Sequence, residues 1–361
     1  MKMFAFFLPQ FHEIEENNLW WGEGFTEWTN VKKAKSLFKG HMQPIHPEND
    51  NYYNLLDKST VIWQTEMMKS AGVAGMIYYH YYFCGRKLLE KPAENLLQWK
   101  DIDQPFFFCW ANHTWNRAWK GSREVLLEQT YGDETDWRKH FEYLLPFFKD
   151  SRYEKKDNCP VFMIFRIRFD EKNKMMECFD RWCREEGFNG IHVIERVSRV
   201  LTKDARKEYE AKINYPHSLF VPEPDNGRNL LYNDRNWFAK KWMGVKAHLR
   251  KRGLKKDVEI YSGEKIFEHM IRSVDPSENC LRGLFFGWDN TPRHSYRGYI
   301  ITPPSKESVF TYLNKIKDTD YVFINAWNEW AEGMILEPTK ENGKKYLSWL
   351  AEYNGISGYN F

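Results

Sequence analysis

Two glutamates three residues apart follow an apolar run near the C-terminal end of the chain. The stretch reads FINAWNEWAEGMILEPT over residues 323–339, and it places Glu329 and Glu332 beside Trp327 and Trp330. If the chain turns helically there, both carboxyl groups lie on one face, with Cβ atoms about 5–6 Å apart. Two carboxyl groups that close, in a partly dry pocket, push their pKa values apart, so that one keeps a proton near neutral pH.

This pair meets the chemical requirement of glycosidic bond cleavage. That reaction needs one carboxylic acid to protonate the leaving oxygen and a second carboxylate to act as nucleophile or base. We therefore predict Glu329 and Glu332 as catalytic residues, Trp327 and Trp330 as the dry walls of the pocket, and Asn328 as a sugar ligand. The alternative is that two acids cap the next helix, since acidic side chains favour a first helical turn.

A second cluster of aromatic and amide side chains follows the apolar run at residues 105–109. Trp faces can stack on pyranose rings while Asn and His side chains hold hydroxyl groups. The cluster predicts sugar contacts from Trp110, Asn112 and His113, with Trp115, Asn116 and Trp119 close by. The alternative is an aromatic core with capping amides.

A tyrosine-rich run, residues 78–82, follows another apolar segment. If these residues extend a strand, side chains alternate between its two faces and only about half can face a lumen. We favour Tyr79 and Tyr81, or else Tyr78 and His80, as the pair that faces the ligand. His80 and His217 lack the spaced partners of a metal site, so ordinary hydrogen-bonded histidines and no metal are expected.

Five further residues complete the predicted site. Arg166 ends an apolar run, where an anionic or heavily hydroxylated ligand would bind, although a structural ion pair is an equal alternative. Trp288 and Asp289 repeat the pattern of an aromatic and a polar residue after a strand, and Asp289 is the reserve candidate for a third acid. Glu27 and Trp28 lie among aromatic residues, where substrate binding and a structural clamp are equally compatible.

The elements that must position these residues recur along the chain. Eight short apolar runs turn polar and aromatic at their C-terminal ends, and they cover residues 3–8, 73–77, 105–109, 161–165, 191–194, 211–214, 284–286 and 321–324. Continuous apolar runs are typical of strands buried on both faces, and helix-compatible segments lie between several of them. The pattern predicts an α/β fold, a single (β/α)8 TIM barrel with long decorating loops. A doubly wound sheet competes, but no Gly-rich phosphate loop follows the first run.

Two segments exceed the minimal repeat. They predict one catalytic domain over residues 1–361 with inserts at about 12–55 and 218–282, and loops this long are usually functional or disordered. The first insert holds too many Trp and Phe residues to be disordered. The second contains the basic run KAHLRKRGLKK, residues 246–256. This run predicts a solvated helix face, with contact to anionic lipid or a phosphorylated carrier as the alternative.

Composition limits the class of protein. The 53 basic and 50 acidic residues give a net charge of +3, so no overall field would steer the protein to nucleic acid. Aromatic residues make 17% of the chain, which suits a sugar ligand or, alternatively, a large aromatic core. No stretch approaches the roughly 18 apolar residues of a transmembrane helix. Without a signal peptide or paired cysteines, we expect a cytoplasmic protein, and its oligomeric state is unknown.

With these stretches assembled, the chain resembles the WbsX-type proteins, often labelled glycosyltransferases and related to glycoside hydrolase family 99. The resemblance rests on FFLPQFH, WWGEGFTEWTNV, YYHYYF, CWANHTWNRAW, GWDNTPR and FINAWNEWAEG with LEP, in order from residue 4 to about residue 338. It implies a (β/α)8 barrel and sugar chemistry that needs no metal or cofactor. In the related pattern, acidic residues stand where this chain has His113 and Lys120.

The resemblance also implies a mechanism. In the characterised hydrolase relatives, two glutamates three residues apart cleave α-mannosides with retention, through a 1,2-anhydro sugar. Carried over, Glu329 is the base that deprotonates the 2-hydroxyl, and Glu332 is the acid and then the base. The substrate is then an oligosaccharide or polysaccharide with a mannoside-like bond. The alternatives are a transferase or transglycosylase of surface polysaccharide (O-antigen or capsule) biosynthesis, and a catalytically silent carbohydrate-binding protein.

Overall fold

Eight parallel strands form a closed ring in a computed structural model that describes residues 1–117, 124–274 and 280–356. The strands are β1 Lys2–Phe7, β2 Gly75–Phe83, β3 Phe106–Trp110, β4 Cys159–Ile164, β5 His192–Arg196, β6 His217–Val221, β7 Cys280–Phe285 and β8 Tyr321–Asn325. Each strand pairs with the next one in chain order, and β8 closes the ring on β1. The predicted (β/α)8 barrel is confirmed.

Aromatic side chains fill the inside of the ring. The Phe107 ring lies 5.1 Å from that of Phe4 and 5.9 Å from that of Phe323, measured between ring centroids. Phe220 packs edge-on against Phe323 at 4.9 Å. Because layers of side chains pack the interior of such barrels, a ligand has to bind above them, at an end of the ring.

Helices connect the strands. Before β2 lie α1 Glu15–Trp21, α2 Glu27–Lys33 and α3 Lys58–Ser70; α4 Lys91–Gln98, α5 Glu134–Lys149, α6 Lys172–Glu185 and α7 Lys203–Glu210 precede β3 to β6 in turn. Then come α8 Glu223–Asn233, α9 Trp237–Lys251 and α10 Gly263–Ser273 before β7, α11 Thr291–His294 and α12 Lys306–Lys315 before β8, and α13 Lys345–Tyr353 after it. Within the described residues, none of these helices is long and apolar enough to cross a bilayer.

Short elements decorate the ring. In the part of the chain that the structure describes, 3₁₀ turns cover Glu48–Asp50, Ser295–Arg297 and Trp330–Glu332. Small strands pair as Arg86–Leu88 with β2, Lys155–Lys156 with β4, Trp115–Asn116 with Val125–Leu127, Tyr299–Ile301 with both Glu259–Tyr261 and Trp288–Asp289, and Asn328–Glu329 with Met334–Ile335. Most of these lie in the connections that follow the C-terminal ends of the barrel strands.

Two strands do not lie where the sequence predicts them. Residues 211–214 form the turn after α7, and β6 begins at His217. The sequence prediction missed this strand because only its last three residues are apolar and buried. The connection that follows β6 therefore starts at residue 222 and not at 218. β7 begins at Cys280, ahead of the predicted run at 284–286. The first half of β7 contains Arg282, which is buried and forms an ion pair with Glu223 at 3.0 Å. This charged residue interrupts the apolar run, so the sequence did not predict that half as a strand.

Candidate active site

A cavity of about 540 Å³ opens at the C-terminal ends of the barrel strands. Side chains from the strand ends and from the loops that follow them line it. The cavity brings together seven of the predicted site residues: Tyr79, Tyr81, His113, Arg166, Trp288, Glu329 and Glu332. The other lining residues include Phe6, Gln10, Trp21, Trp115, Asn116, Phe165, Arg196, Pro222, Arg293 and Asn325.

The two glutamates lie on a hairpin that follows β8. Glu329 is the last residue of its first strand, and the 3₁₀ turn Trp330–Glu332 connects that strand to Met334–Ile335. Side chains three residues apart are nearly aligned in 3₁₀ geometry, so Glu329 and Glu332 face the same cavity. The helical turn on which the sequence prediction depended is present, in its tighter 3₁₀ form.

Gly333 ends this turn in a conformation that suits glycine. Its φ is 64°, in the left-handed region. A Cβ at this position would lie 2.8 Å from the backbone nitrogen of Asp289, which is closer than a carbon atom can approach. The glycine therefore lets the turn that carries the glutamates pack directly on the loop after β7.

Glu329 is buried against a tyrosine. Its side chain lies at the cavity surface with a residue exposure of only 7%, and the Tyr79 hydroxyl donates to its Oε1 at 2.9 Å. Burial raises the pKa of Glu329 to about 8, and the negative charge of Glu332 adds to this, against the opposing effects of Arg293 and the Tyr79 hydrogen bond. The pair formed by Glu329 and Glu332 therefore holds a proton near neutral pH.

Arg293 joins the glutamate pair to the first insert. Its guanidinium forms an ion pair with Glu332 through Nη1, and its Nη2 donates to Glu27 Oε1 at 2.7 Å. The same Glu27 oxygen accepts the backbone N–H of Ala331 at 3.1 Å. Glu27 is fully buried, so the structure corrects the prediction that it contacts substrate. It instead fixes both Arg293 and the 3₁₀ turn.

The two tryptophans of the turn lie beneath it and do not line the cavity, which corrects the prediction that they form its walls. The indole N–H groups of Trp327 and Trp330 donate to the two oxygens of Glu337, at 2.9 and 2.7 Å. Gln64 and Tyr53 donate to the same carboxyl at 2.6 and 2.8 Å. Burial raises the pKa of Glu337 to about 7 despite these four donors. This underside of the turn is a closed polar cluster.

Asn328 and Trp28 also have structural roles. Asn328 Oδ1 accepts the N–H of Leu8 at 2.7 Å and its Nδ2 donates to the Leu8 carbonyl at 3.1 Å, which ties the turn to the end of β1. The Trp28 indole donates to the Tyr53 carbonyl at 2.8 Å, and its ring lies 5.1 Å from that of Trp330. Both side chains are buried away from the cavity, so the structure does not bring these two predicted sugar ligands to it.

Asn112 positions the opposite wall. Its side chain accepts the backbone N–H of Arg166 and donates to the Arg166 carbonyl, both at 2.7 Å, so it joins the loops after β3 and β4 without lining the cavity. The next residue, His113, does line the cavity. Burial, with smaller effects of Arg166 and Arg196, lowers the pKa of His113 to about 4, so its imidazole is neutral. This wall presents neutral and cationic groups opposite the glutamates.

Trp110 and His80 point outward from the barrel, which corrects their prediction as sugar ligands. The Trp110 indole donates to the Tyr82 carbonyl at 3.0 Å. His80 Nε2 lies 2.8 Å from His140 Nε2 of α5, and burial lowers the pKa of His80 to about 3. The favoured alternative for the tyrosine run, with Tyr79 and Tyr81 facing the ligand side, agrees with the cavity lining.

Asp289 is fully engaged within the protein. His41 and Gln43 both contact its Oδ2 at 2.8 Å, and Thr291 donates twice to Oδ1. The carboxylate therefore fastens the first insert to the loop after β7 and does not act as the reserve acid. Its neighbour Trp288 stacks on Tyr299 and lines the cavity. Trp119 and Lys120 lie outside the described residues.

Sequence reasoning missed several residues of the site. Arg293 lies in GWDNTPR and Glu337 in LEP, so both stood in stretches that carried the resemblance. Arg196 and Asn325 end β5 and β8, where the rule of chemistry at strand ends would have found them. The signal was present in each case, but no spacing rule distinguishes these residues from ordinary strand-end polar residues.

The cavity has polar atoms with unused hydrogen-bonding capacity. His113 Nδ1, Trp288 Nε1 and Asn325 Oδ1 are buried and have no hydrogen-bond partner among the described residues. Buried polar groups are rarely left without partners, so such atoms in a cavity suit a ligand with many hydroxyl groups. Together with the aromatic rings and the acid pair, they give a site that can hold a sugar and transfer protons to it.

Comparisons with known proteins agree with this geometry. The sequence model of the family described as Glycosyltransferase WbsX matches residues 3–350, which confirms the resemblance seen in the motifs. The uncharacterized protein WxcX from two strains of Xanthomonas campestris pv. campestris is 31% identical over 360 residues, covering 95% of this chain and 48% of the relative. The chain thus spans about half the length of the curated relatives it matches.

Solved structures share the fold. The GH99 endo-alpha-mannosidase from Bacteroides thetaiotaomicron superposes with a TM-score of 0.55 and 12% identity, covering 98% of each chain. A structure described as a glycoside hydrolase-like protein gives a TM-score of 0.57, also at 12% identity, over 98% of this chain and 93% of its own. At this level of identity the likeness establishes the barrel and its connections.

Proposed function

Because this chain belongs to the WbsX glycosyltransferase family, we propose that it is a carbohydrate-active enzyme that cleaves an α-linked, mannoside-like bond with retention. The observation that carries the proposal is the acid pair: Glu329 and Glu332 line one cavity, and burial together with the charge of Glu332 raises the pKa of Glu329. The α-mannoside preference comes from the GH99 endo-alpha-mannosidase that shares the fold. The curated relatives are about twice as long as this chain. Any activity that needs the full length of such a protein is therefore also a proposal.

The proposed reaction has two steps. The reaction starts from the form of the pair in which its one proton lies on Glu332 and Glu329 is ionised. Glu329 takes the proton of the sugar 2-hydroxyl, the resulting oxygen attacks C1 to form a 1,2-anhydro sugar, and Glu332 donates its proton to the leaving glycosidic oxygen. Water then enters, Glu332 removes its proton, and the new hydroxide attacks C1 while Glu329 returns its proton to O2. Two inversions at C1 give net retention, and both glutamates end as they began.

The environment of Glu329 supports its role as the base. A carboxylate whose conjugate acid has a pKa of about 8 is a stronger base than an ordinary glutamate, and general catalysis is most efficient when the pKa lies near the working pH. The reactive form carries one proton on Glu332 and none on Glu329, so kcat/KM should fall as pH rises through about 8, where the pair loses that proton. A rate that keeps rising through this pH would show that the reactive form needs no proton on the pair, and it would contradict the assignment of Glu332 as the acid.

A transferase or transglycosylase of surface polysaccharide is the second candidate, and the description of the family as glycosyltransferases favours it. In a transglycosylase, a sugar hydroxyl replaces water in the second step and the same glutamates act. A transferase that uses a sugar nucleotide needs a site for the diphosphate. Calorimetry with nucleoside diphosphates separates these cases, since micromolar binding favours the nucleotide-dependent transferase and lack of binding favours the hydrolase.

The experiment that tests the proposed function is a screen against arrayed bacterial and plant oligosaccharides, with release of reducing ends as the readout. We expect release from glycans that contain internal α-mannoside-like bonds, with the α-anomer as the first product by NMR. Products transferred to an added acceptor sugar, without free reducing ends, would favour the transglycosylase. Binding of a glycan with no turnover in any arm would favour a catalytically silent protein.

A further inference from the structure

Helix α9 presents large aromatic side chains to solvent. Trp237 is 62% exposed, Phe238 75%, Trp242 58% and Val245 43%. At 100° per residue these four side chains fall within about 140° of the helix circumference, so they form one face. Singly scattered exposed hydrophobic residues are ordinary in soluble proteins, but a contiguous aromatic face marks an interaction surface.

The chain around this face is strongly basic. Residues 237–256 hold eight basic residues and no Asp or Glu: Lys240, Lys241, Lys246, Arg250, Lys251, Arg252, Lys255 and Lys256. The Lys241 ammonium lies 4.9 Å from the centre of the Trp237 ring, and that of Lys246 lies 5.7 Å from the Trp242 ring. Cations thus border the aromatic face directly.

Acidic residues from the neighbouring segment lie on the other side of the helix. Asp257 pairs with Arg250 at 2.8 Å and with Lys255 at 3.1 Å, and Glu259 lies 3.5 Å from Arg250. Helical spacing places Arg250 more than about 100° from the middle of the aromatic face. These acids therefore neutralise the inner side of α9 and leave the charge around the aromatic face positive.

We propose that α9 docks on an anionic lipid surface. Interfacial helices bury aromatic and aliphatic residues at the boundary between headgroups and acyl chains, while Lys and Arg contact lipid phosphates. A second copy of this chain fits the same face poorly, because a symmetric contact brings identical patches together and would oppose like charges. The sequence left a solvated helix face open beside contact with anionic lipid or a phosphorylated carrier, and the proposal takes the contact with lipid.

The position of α9 relates this surface to the cavity. The helix packs against the 3₁₀ turn Ser295–Arg297, which follows α11, the helix that carries Arg293. Docking of α9 brings this rim of the cavity within about one helix diameter, roughly 10 Å, of the lipid surface. The inference does not depend on the proposed reaction, since it rests on residues that lie outside the cavity.

Sedimentation with lipid vesicles tests the proposal. The protein should bind vesicles of phosphatidylcholine mixed with phosphatidylglycerol, bind pure phosphatidylcholine weakly, and be released by high salt. Neutralising Lys241 and Arg252 to Gln should weaken binding about fivefold for each charge removed. Phe238→Ser with Trp242→Ser should weaken it by about tenfold or more, since the apolar contribution is lost.

Matched variants elsewhere on the surface control for general effects. Leu19→Ala removes a side chain that is 79% exposed on α1, and Lys33→Gln with Lys35→Gln removes two exposed charges. Neither should change vesicle binding. Equal binding to both vesicle types, or no binding to either, would overturn the proposal. So would a concentration-dependent dimer that the α9 variants abolish without any lipid effect. If the aromatic variant fails to fold, the charge variant still decides the question.

Discussion

The two sides of the turn after β8 each hold a buried carboxyl group, in opposite kinds of environment. On the cavity side, Glu329 accepts one hydrogen bond from Tyr79 and lies near the negative charge of Glu332. On the underside, Glu337 accepts hydrogen bonds from four neutral donors, two of them indoles. Burial is the largest cause of a raised pKa in both.

A raised pKa therefore does not identify a catalytic acid by itself. Glu337 accepts four hydrogen bonds and does not line the cavity, whereas Glu329 lines the cavity and accepts a hydrogen bond from Tyr79. We conclude that the upper side of the turn is arranged for proton transfer and the underside for holding the turn in place. A change on the upper side should therefore affect catalysis, and a change on the underside should affect stability.

The largest expected effect is on turnover. Glu329→Gln and Glu332→Gln should each lower kcat by about 10²–10⁴, because a positioned acid or base contributes that much. Glycan affinity, measured by calorimetry, should change little. Glu208→Gln, at an exposed position on α7, is the control and should keep full activity. Unchanged rates in both site variants would remove the catalytic assignment.

The underside should respond in stability. Each oxygen of Glu337 accepts one indole N–H, so the amide of Glu337→Gln must point its NH₂ group at one indole and leave it without an acceptor. The expected loss of unfolding free energy is about 1–3 kcal/mol, measured by urea denaturation. By contrast, Glu329→Gln should leave stability unchanged or raise it, since it removes a buried group that prefers to be uncharged.

The difference in stability between the wild type and Glu337→Gln should depend on pH. The pKa of Glu337 is raised from 4.5 to about 7 on folding, so the native state binds the proton more tightly than the unfolded state. The contribution of this group to stability is therefore fully present below pH 4.5 and is lost as pH rises to about 7. The stability of the wild type relative to Glu337→Gln should fall across this window. A flat difference would contradict the raised pKa.

Two tyrosines give a smaller, matched test. Tyr79→Phe removes a hydrogen bond that lowers the pKa of Glu329, so the fall of kcat/KM with rising pH should move upward by about half a unit to one unit. Tyr53→Phe removes the corresponding bond to Glu337 on the underside. It should leave the pH profile in place and cost about 1 kcal/mol of stability. An identical pH profile in all three proteins would show that Tyr79 does not tune Glu329.

The smallest effect is expected from the tryptophans. Trp288→Phe removes an indole N–H that has no partner among the described residues, so KM should rise only about threefold to tenfold, with stability unchanged. Trp330→Phe removes a donor to Glu337 and should lower stability with little effect on KM. Glycan titrations measure the effect on KM, and denaturation curves measure the effect on stability. A loss of stability in Trp288→Phe and a raised KM in Trp330→Phe would contradict the roles assigned to the cavity side and the underside.

The barrel and the position of the acid pair were predictable because they follow from local patterns. Apolar runs that turn polar mark strand ends, and Glu329 and Glu332 need only a tight turn to face one cavity. The failures involve strands whose two faces are both buried. In β2 and β3 the outward residues His80 and Trp110 are as aromatic as the inward ones, so sequence alternation does not reveal which side faces the ligand.

Long-range partners account for the remaining errors. Asp289 and Glu27 look like site acids until their partners are known, and those partners lie 248 residues away at His41 and 266 residues away at Arg293. Trp327 and Trp330 look like pocket walls until the fold brings Glu337 beneath them. Residue type and spacing identify polar groups near a site, but only the fold shows which of them the protein itself satisfies.

The most direct test of the account follows the protonation of Glu329 by NMR of proteins with ¹³C-labelled glutamate carboxyl groups. The Glu329 resonance, assigned by its absence in Glu329→Gln, should titrate near pH 8 in the wild type. In Glu332→Gln it should titrate at lower pH, because the neighbouring negative charge is gone. Titration at the ordinary value of 4.5 in both proteins would contradict a coupled acid pair in the cavity.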